Sequence, residues 1–531
     1  MQTPITGAQI IGYSESSLGA ETFRTSNPRD GKPTPWEFRE TTKQEVDRAL
    51  ELAASAFSAF RDLPGSRRAA FLKAIAAQLE AVTGDLVEVY MLESGLPEGR
   101  ARGELGRTTG QLRAFAALAE EGSWTMPRID TALPDRTPVP KPDIRKCLLP
   151  LGPIAVFGAS NFPFAFSTAG GDTAAALAVG CPVVVKGHPL HAGTGEAVAR
   201  CVQQAAKQTS MPEGVFSHLQ SGGISLGEQL VQHPRIKGVG FTGSRKAGLA
   251  LFRLGQERPE PIPVFAEMGS INPVVVLPSA TEEAKGWAKA YAQSVTLGTG
   301  QFCTNPGLIL GIAGPSWDRF VSSLSEAIRE VPASCMLHQG MAENFRQLRS
   351  EFLSQEGVEE VVTLERTGGD ALVAGSVARV SGGVFCENPS LQKEVFGPFT
   401  LTVACSDRGE LLKAMRLLEG QLTASILGDP DEIGREPELL DVLKDKVGRL
   451  LFNGVPTGVE VCPSMHHGGP YPATTDARFT SVGTDAVLRW LKPISFQNAP
   501  QELLPPVLRD ENPLKLLRMV NGEFTRKNSV E

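Results

Sequence analysis

Apolar residues recur at helical spacing in the first part of the chain. Between residues 43 and 83 they predict two helices, which a break at Leu63-Pro64-Gly65 separates and which we expect to pack as a hairpin. A third helix is expected over residues 103–121, and a proline-rich connector follows it over residues 130–142. The pattern therefore predicts a mainly helical start.

The pattern changes from residue 154 onwards, where short apolar runs alternate with helical stretches. The first series of runs covers residues 154–157, 182–185, 215–219 and 238–241. The second series includes residues 273–277, 308–310 and 399–403. Such alternation is typical of parallel sheets with helices on their faces. We therefore expect the α/β fold class, with two domains of this kind.

Length and composition indicate a globular protein with more than one domain, since 531 residues exceed what one hydrophobic core usually serves. The formal net charge of −7 provides no basic surface, so neither nucleic acid nor a membrane is an expected partner. The first residues lack the basic and apolar regions of a signal peptide, and no apolar run is long enough to span a bilayer. We expect a cytoplasmic location.

The cysteine and histidine spacing indicates free thiols and no metal site. Eight cysteines are spread singly along the chain without a CxxC pair, which favours thiols over disulfides. His188 and His191 lie close in sequence, as do His466 and His467, but no cysteine or carboxylate stands at zinc-type spacing beside either pair.

Cys303 and Glu267 suggest covalent catalysis. Cys303 lies in a polar, glycine-rich segment, residues 300–306, and Glu267 lies upstream in residues 265–270. A thiolate attacks a carbonyl carbon, and a carboxylate can then activate the water that releases the acyl group. A buried structural cysteine is the alternative, because free cysteine is often buried.

Seven short segments of the sequence bear on the roles of Cys303 and Glu267. They are residues 158–163 (GASNFP), 185–186 (VK), 211–215 (MPEGV), 240–244 (GFTGS), 267–269 (EMG), 300–303 (GQFC) and 393–398 (KEVFGP). In this order and over nearly its full length, the chain resembles the NAD(P)-dependent aldehyde dehydrogenase superfamily.

The resemblance implies the catalytic roles. Cys303 matches the family nucleophile, Glu267 the general base that activates water, and Asn161 the side chain that stabilises the oxyanion together with the backbone N–H of Cys303. The implied reaction is thiolate attack on an aldehyde, hydride transfer to a nicotinamide, and hydrolysis of the thioester. For Asn161, a plain turn residue is the alternative.

The resemblance also implies a nicotinamide cofactor site. Lys186 would reach the adenosine ribose, Ser244 would lie at a helix start near the pyrophosphate, and Glu394 and Phe396 would hold the nicotinamide ribose and ring. The other positions expected at the cofactor are Gly158, Ser160, His188, Pro189, Gly243 and Met268.

A second motif invites a different interpretation of this region. Gly238, Gly240 and Gly243 form a GxGxxG pattern, which is typical of a dinucleotide-binding loop after a strand. We do not favour that interpretation, because residues 255–263, where a strand ending in an acid should lie, are polar and proline-rich.

Pro189 predicts that NADP is used at least as well as NAD. NAD-preferring members of the family usually carry a glutamate at this position, whose carboxylate repels a 2′-phosphate, and proline cannot do so. Lys186 and His188 remain nearby as donors to a phosphate. The alternative is that another carboxylate, such as Glu196, fills the gap.

Within the superfamily, four segments resemble the branch of 2,5-dioxopentanoate dehydrogenases. They are residues 107–113 (RTTGQLR), 159–166 (ASNFPFAF), 452–461 (FNGVPTGVEV) and 467–472 (HGGPYP). Long-chain aldehyde dehydrogenases share part of this pattern, so a long-chain or broad-specificity enzyme is the alternative.

A substrate with a carboxylate needs a cation or several hydrogen-bond donors at the far end of the tunnel, because an unpaired buried carboxylate is costly. Arg107 and Gln111 lie one helical turn apart, on a helix that corresponds to one lining the family's substrate tunnel, and Phe162 is also expected to contact substrate. A solvated arginine is the alternative for Arg107. His467 belongs to the last active-site loop of the family, where it either lowers the pKa of Cys303 or is an ordinary loop residue.

The resemblance implies two Rossmann-like α/β domains and a small β element for oligomerisation. We expect a cofactor-binding domain in residues 1–136 and 150–264, a catalytic domain in 265–470, and an oligomerisation hairpin and C-terminal arm in 137–149 and 485–531. A homodimer or homotetramer is expected.

Other function classes stay open at this point. A thiol hydrolase or acyltransferase would use Cys303 but not the cofactor set, and a non-catalytic relative could lose Cys303 or Glu267, which are both in place. Glu267 also favours water over coenzyme A as the acyl acceptor.

Overall fold

The computed structural model describes residues 4–364 and 369–529. Residues 1–3, at the start of the range expected for the cofactor-binding domain, lie outside the described residues. So do residues 365–368 of the expected catalytic domain and residues 530–531 of the expected arm.

The first large sheet has seven strands in the order β11-β10-β7-β8-β9-β1-β2. These strands are β1 (Gln9–Ile11), β2 (Ser14–Ser16), β7 (Ile154–Phe157), β8 (Val183–Lys186), β9 (Phe216–Leu219), β10 (Gly238–Thr242) and β11 (Val264–Glu267). Strands β7 to β11 are parallel, and β1 and β2 add an antiparallel edge. The first series of apolar runs is therefore confirmed as parallel strands.

The second large sheet also has seven strands, in the order β15-β17-β18-β13-β12-β19-β20. They are β12 (Val274–Val276), β13 (Leu308–Ile312), β15 (Glu359–Thr363), β17 (Ser376–Ser381), β18 (Phe399–Cys405), β19 (Gln421–Leu427) and β20 (Val447–Phe452). Among the described pairs of this sheet, β15 is antiparallel to its neighbour and the others are parallel. The second series of runs is confirmed as well.

Three smaller sheets complete the strands. A five-stranded sheet has the order β21-β6-β5-β22-β23, and two-stranded sheets pair β3 with β4 and β14 with β16. Their strands are β3 (Thr22–Phe23), β4 (Phe38–Arg39), β5 (Arg128–Asp130), β6 (Ile144–Pro150), β14 (Ser334–Cys335), β16 (Leu372–Val373), β21 (Leu491–Gln497), β22 (Arg518–Val520) and β23 (Glu523–Thr525). The five-stranded sheet thus includes β5, although its residues fall in the range expected for the cofactor-binding domain.

The helices pack on both faces of the two large sheets. They are α1 (Lys43–Arg61), α2 (Gly65–Ala81), α3 (Thr83–Ser94), α4 (Glu98–Glu121), α5 (Gly171–Val179), α6 (Ala192–Gln208), α7 (Ser225–Gln232), α8 (Arg245–Gln256), α9 (Pro278–Glu282), α10 (Ala284–Thr296), α11 (Pro315–Arg329), α12 (Gln339–Leu353), α13 (Gly382–Glu387), α14 (Arg408–Leu417), α15 (Pro430–Gly434) and α16 (Pro437–Lys446). Within the described residues, no helix is both long and apolar enough to cross a membrane.

The expected hairpin of α1 and α2 is wrong, although both helices exist. Leu50 of α1 belongs to the same hydrophobic cluster as Val184 of β8, whereas Ile75 of α2 belongs to the cluster of Val183 and Val185. Successive residues of a strand point to opposite faces of a sheet, so the two helices lie mainly on opposite faces. The break at Pro64 therefore carries the chain from one face to the other.

The third helix begins earlier than the sequence predicted. Helix α4 starts at Glu98 after Pro97, and a further helix, α3, precedes it. Four glycines in α4, at positions 99, 103, 106 and 110, weaken the helical signal because glycine has a low helix propensity. Their Cβ positions are open.

Candidate active site

A cavity of about 250 Å³ lies where segments of the two large sheets meet. Its walls come from the ends of β10 and β11 in the first sheet, and from α12 and the segments before β13 and β18 in the second. The residues that line it are Ser160, Asn161, Thr242, Gly243, Ser244, Glu267, Met268, Gly269, Cys303, Met341, Asn344, Glu394 and Phe396. The structure thus brings most of the residues predicted for catalysis and cofactor binding to one cavity.

Glu267 is the last residue of β11, and its backbone is held on both sides. Its carbonyl accepts a hydrogen bond from the N–H of Gly243 at 3.0 Å, and an isolated bridge pairs it with Thr474. The N–H of Met268 donates to the carbonyl of Ala473 at 2.8 Å. The segment around Thr474 therefore runs beside the end of β11 and fixes the direction of Glu267.

The segment that carries Cys303 depends on a close backbone approach. Gly300 has φ +66°, and a Cβ at this position would lie 2.2 Å from the carbonyl carbon of Gly397. The side chain of Asn272 donates to the carbonyl of Cys303 at 2.8 Å, and that of Asn305 donates to the carbonyl of Gly397 at 3.1 Å. The glycine-rich sequence before Cys303 is thus required by packing.

His467 lies between the two residues expected to do the chemistry. Its Nε2 atom is 3.4 Å from Sγ of Cys303 and 3.0 Å from Oε1 of Glu267. The backbone N–H of His467 donates to Oγ1 of Thr480 at 2.8 Å, and the hydroxyl of Ser481 donates to the second carboxylate oxygen of Glu267. His467 is 2% exposed, so it is a buried member of the cluster.

The electrostatics favour a neutral thiol beside a charged carboxylate. Burial and the negative charge of Glu267 raise the pKa of Cys303 well above its usual value, while Arg107 opposes the shift. Burial alone would raise the pKa of Glu267, but the charge and hydrogen bond of His467 and the hydroxyl of Ser481 outweigh it and lower that pKa. The expected effect of His467 on the pKa of Cys303 stays a prediction.

Asn161 lies beside the segment that carries the nucleophile. Its amide nitrogen donates to the carbonyl of Gln301 at 2.9 Å. Because an amide nitrogen carries two N–H groups, a second donor remains for an oxygen in the cavity.

Ser244 caps a helix, whereas the first two glycines of the GxGxxG pattern lie in a strand. Ser244 is the N-cap of α8, where its hydroxyl accepts from the N–H of Ala247 at 3.3 Å. Gly238 and Gly240 lie inside β10 and pair in register with β7. They are therefore strand residues, and the pattern is not a loop that follows a strand.

Four residues predicted to bind the cofactor lie outside the lining of the main cavity: Lys186, His188, Pro189 and Gly158. Lys186 ends β8, its Nζ is 3.4 Å from the carbonyls of Gly187 and Ser221, and burial lowers its pKa to about 8. A Cβ at Gly158 would lie 3.6 Å from Cβ of His188, so these segments are in close contact.

His188 is uncharged in this environment. Burial, together with the charges of His191 and Lys186, lowers its pKa well below the usual value. Its Nδ1 accepts from the N–H of Leu190 at 3.2 Å, which leaves the proton on Nε2. It can donate a hydrogen bond but brings no positive charge.

The three residues predicted to bind substrate also lie outside the cavity lining, and two of them, Phe162 and Arg107, belong to an aromatic cluster. Phe162 packs edge-on against Phe166 and Phe302 at centroid distances of 5.4 and 5.3 Å. The guanidinium of Arg107 lies 5.1 Å from the ring of Phe166. Within the described part of the chain, its Nε and Nη2 are buried without a hydrogen-bond partner, as are both amide atoms of Gln111.

Several residues of the site were not predicted from the sequence. Arg100 lies 4.3 Å from the centroid of Phe162 and pairs with Glu104 at 3.4 Å. It lies two helical turns before Arg107, a spacing that could have revealed it. Met341, Asn344 and Ser481 come from segments without a recognisable motif, so no sequence signal pointed to them.

Comparison with known proteins identifies the family. The model of the aldehyde dehydrogenase family matches residues 14–469. The α-ketoglutaric semialdehyde dehydrogenase 2 of Azospirillum brasilense is 47% identical over 522 residues, with 98% of this chain and 99% of that protein covered. The α-ketoglutaric semialdehyde dehydrogenase of Acinetobacter baylyi is 45% identical over 528 residues, with the same coverage.

Solved structures agree on the fold. A betaine aldehyde dehydrogenase from Staphylococcus aureus, in complex with NAD+, has a TM-score of 0.80 at 19% identity and covers 94% of this chain and 97% of its own. An NADP-dependent glyceraldehyde-3-phosphate dehydrogenase from Bacillus halodurans, complexed with NADP, has a TM-score of 0.77 at 20% identity and covers 93% and 100%. The chain therefore belongs to the aldehyde dehydrogenase family and is an oxidoreductase that acts on a small-molecule aldehyde with a nicotinamide cofactor.

Proposed function

We propose that this enzyme oxidises 2,5-dioxopentanoate to 2-oxoglutarate through a thioester on Cys303. The observation that carries the proposal is the guanidinium of Arg107, whose Nε and Nη2 are buried without a hydrogen-bond partner in the described residues and which interacts electrostatically with Cys303. An unpaired buried cation is costly, so a carboxylate of the substrate is its natural partner. The names of the two relatives agree with this substrate.

Cys303 and its neighbours can perform the acylation. The thiol proton passes to Nε2 of His467, which lies 3.4 Å from Sγ, and the protonated imidazole then pairs with the charged carboxylate of Glu267, 3.0 Å away. The thiolate then attacks the aldehyde carbon. The remaining N–H of the Asn161 amide and the backbone N–H of Cys303 stabilise the oxygen that becomes negative, at roughly 3 kcal/mol per donor.

The residues of the cavity fit a nicotinamide cofactor. Glu394 lies beside the cavity as a carboxylate acceptor for ribose hydroxyls, and Phe396 offers a flat face to a ring. The N-terminus of α8 at Ser244 presents backbone donors that suit a pyrophosphate. When bound, the nicotinamide supplies the hydride acceptor.

Glu267 completes the cycle by taking a proton from water, which then hydrolyses the thioester. The hydroxyl of Ser481 donates to its carboxylate, and the positive charge of protonated His467 lies 3.0 Å away, so Glu267 stays charged for this step. The carboxylic acid leaves, Cys303 regains its proton from His467, and Glu267 loses the proton taken from water to solvent.

The test of the substrate assignment compares two aldehydes in three enzymes. Arg107→Ala should lower kcat/KM for 2,5-dioxopentanoate by about 10- to 100-fold, the equivalent of one lost charge-assisted contact, and should change it little for pentanal. Arg113→Ala is the matched control, since Arg113 lies on the same helix but is exposed and paired with Glu80. Equal losses for both aldehydes would overturn the proposed role of Arg107.

We also propose that NADP is used at least as well as NAD. Pro189 offers no carboxylate, and Glu196 cannot replace one, because its two oxygens already accept from Thr6, Gly7 and Arg200. The remaining carboxylate near Lys186 is Glu40, whose Oε1 accepts from the N–H of Gly222 at 2.8 Å.

Two variants test this cofactor proposal. Pro189→Glu should lower kcat/KM for NADP at least about tenfold more than for NAD, because it restores the repulsion of the 2′-phosphate. Glu40→Gln should leave the ratio close to that of the wild type. If the wild-type enzyme strongly prefers NAD and the Glu40→Gln variant shifts towards NADP, Glu40 sets the preference instead of position 189.

We further propose a homodimer or homotetramer built on the five-stranded sheet. Its strands β6 and β21 carry Ile144 and Ile494 at the surface, and Phe524 of β23 is 68% exposed. Exposed apolar patches of this kind often mark interfaces. Light scattering after size exclusion should give twice or four times the chain mass, and Ile494→Asp should reduce it; a monomeric wild type would contradict the proposal.

A further inference from the structure

Three side chains of the active site form a set of donor atoms that suits a metal ion. Sγ of Cys303, Nε2 of His467 and a carboxylate oxygen of Glu267 all lie within 4.8 Å of one another. Thiolate sulfur, imidazole nitrogen and carboxylate oxygen are the ligands that Zn²⁺ takes in proteins. The sequence indicated no metal site, because the three residues come from distant segments.

The spacing of these atoms is close to that of a zinc site. Tetrahedral bonds of about 2.3 Å to sulfur and about 2.0–2.2 Å to nitrogen and oxygen separate the ligand atoms by roughly 3.3–3.6 Å. The distance from Nε2 of His467 to Sγ of Cys303 is 3.4 Å, and that to Oε1 of Glu267 is 3.0 Å. These two distances need shifts of only a few tenths of an ångström, and the third, from Sγ to the carboxylate oxygen, is within 4.8 Å.

The surroundings support the same arrangement. The hydroxyl of Ser481 donates to the second oxygen of Glu267, and the backbone N–H of His467 donates to Thr480. Partners of this kind orient the ligands of metal sites in proteins. Cys303 and Glu267 also line the cavity, so a fourth ligand such as water can reach the ion.

We propose that Zn²⁺ binds reversibly to Cys303, His467 and Glu267 and switches the enzyme off. Binding forms the Zn–S, Zn–N and Zn–O bonds and releases the thiol proton to solvent, with no change of oxidation state. The lone pair of Cys303 that would attack an aldehyde is then held by the metal, and Glu267 is no longer available as a base.

Cobalt provides a direct test, because a Co²⁺–thiolate bond absorbs in the near ultraviolet. Addition of Co²⁺ to the full-length enzyme should produce this band, saturating at one ion per chain, and Zn²⁺ should remove it. Micromolar Zn²⁺ should inhibit aldehyde oxidation, and EDTA should restore the activity. The absorbance does not depend on the substrate, so it is independent of the proposed function.

Variants distinguish metal binding at this site from metal binding at other thiols of the protein. Cys303→Ser should lose the cobalt band, and His467→Asn should bind Zn²⁺ at least about tenfold more weakly, with cofactor binding used to check that the variant is folded. Cys386→Ser is the control, since Cys386 is another half-buried free thiol, and it should behave as wild type. A band that persists in Cys303→Ser, or no band and no inhibition in the wild type, would overturn the proposal.

Discussion

At the scale of single residues, Glu267 has two tasks that depend on its charge. It interacts with His467 and Ser481, and it raises the pKa of Cys303. Motifs pointed to Cys303 and Glu267 in the sequence, but the role of His467 could not be derived there. Its contact with both residues depends on a loop that returns from more than a hundred residues away.

Glu267→Gln should separate acylation from hydrolysis. The variant should release about one equivalent of reduced cofactor per active site in a rapid burst and then turn over at least about 100-fold more slowly, because hydride transfer precedes the activation of water. Stopped-flow absorbance of the reduced cofactor measures both phases. Cys303→Ala, which lacks the nucleophile, should show no burst but should still bind cofactor; a Glu267→Gln enzyme with no burst would assign Glu267 to an earlier step.

Glu394 predicts a pH dependence of cofactor binding. Burial raises the pKa of this carboxyl to about 7, although the N–H of Ser270 opposes the shift. Above this pH the carboxylate accepts hydrogen bonds from the ribose, and below it the protonated form loses that capacity. The Kd of the oxidised cofactor should therefore rise as the pH falls from 8 to 6, by roughly tenfold if the carboxylate dominates. Glu394→Gln should bind weakly and lose this dependence, and an unchanged pH profile in the variant would contradict the assignment.

At the scale of elements, the alternation of apolar runs located β7 to β10 in the first large sheet and β12, β13 and β18 in the second, but not the other seven strands described in these two sheets. It could not show on which face each helix packs, so the hairpin of α1 and α2 was predicted wrongly. The early part of α4 was missed for a local reason, since Pro97 and Gly99 resemble a loop. The segments that position Cys303 and Glu267 are held by backbone contacts that no sequence pattern reveals.

Gly300 tests one of these backbone contacts. Gly300→Ala should destabilise the protein by about 2 kcal/mol or more and lower kcat sharply, because its φ of +66° and the 2.2 Å approach to Gly397 leave no room for a Cβ. Gly286→Ala is the control, since a Cβ there meets nothing within 4 Å in helix α10, and it should be neutral or stabilising. Chemical denaturation followed by circular dichroism measures the difference, and equal stabilities of the two variants would contradict this explanation.

At the scale of the whole molecule, the site forms because the ends of β10 and β11 face the loops of the second large sheet. Residues that are far apart in sequence, such as Ser244, Cys303 and Glu394, thereby line one cavity. The motifs identified most of this lining because each lies at an element end. Met341 and Asn344 became visible only when the helices were placed.

The central claim is that the enzyme selects an aldehyde with a distant carboxylate. The most direct measurement is kcat/KM of the wild type for 2,5-dioxopentanoate and for pentanal, with 2-oxoglutarate quantified as product. We predict a value at least about tenfold higher for 2,5-dioxopentanoate, with one 2-oxoglutarate formed per reduced cofactor. An equal or higher kcat/KM for pentanal and longer uncharged aldehydes would contradict the claim and favour a long-chain or broad-specificity enzyme.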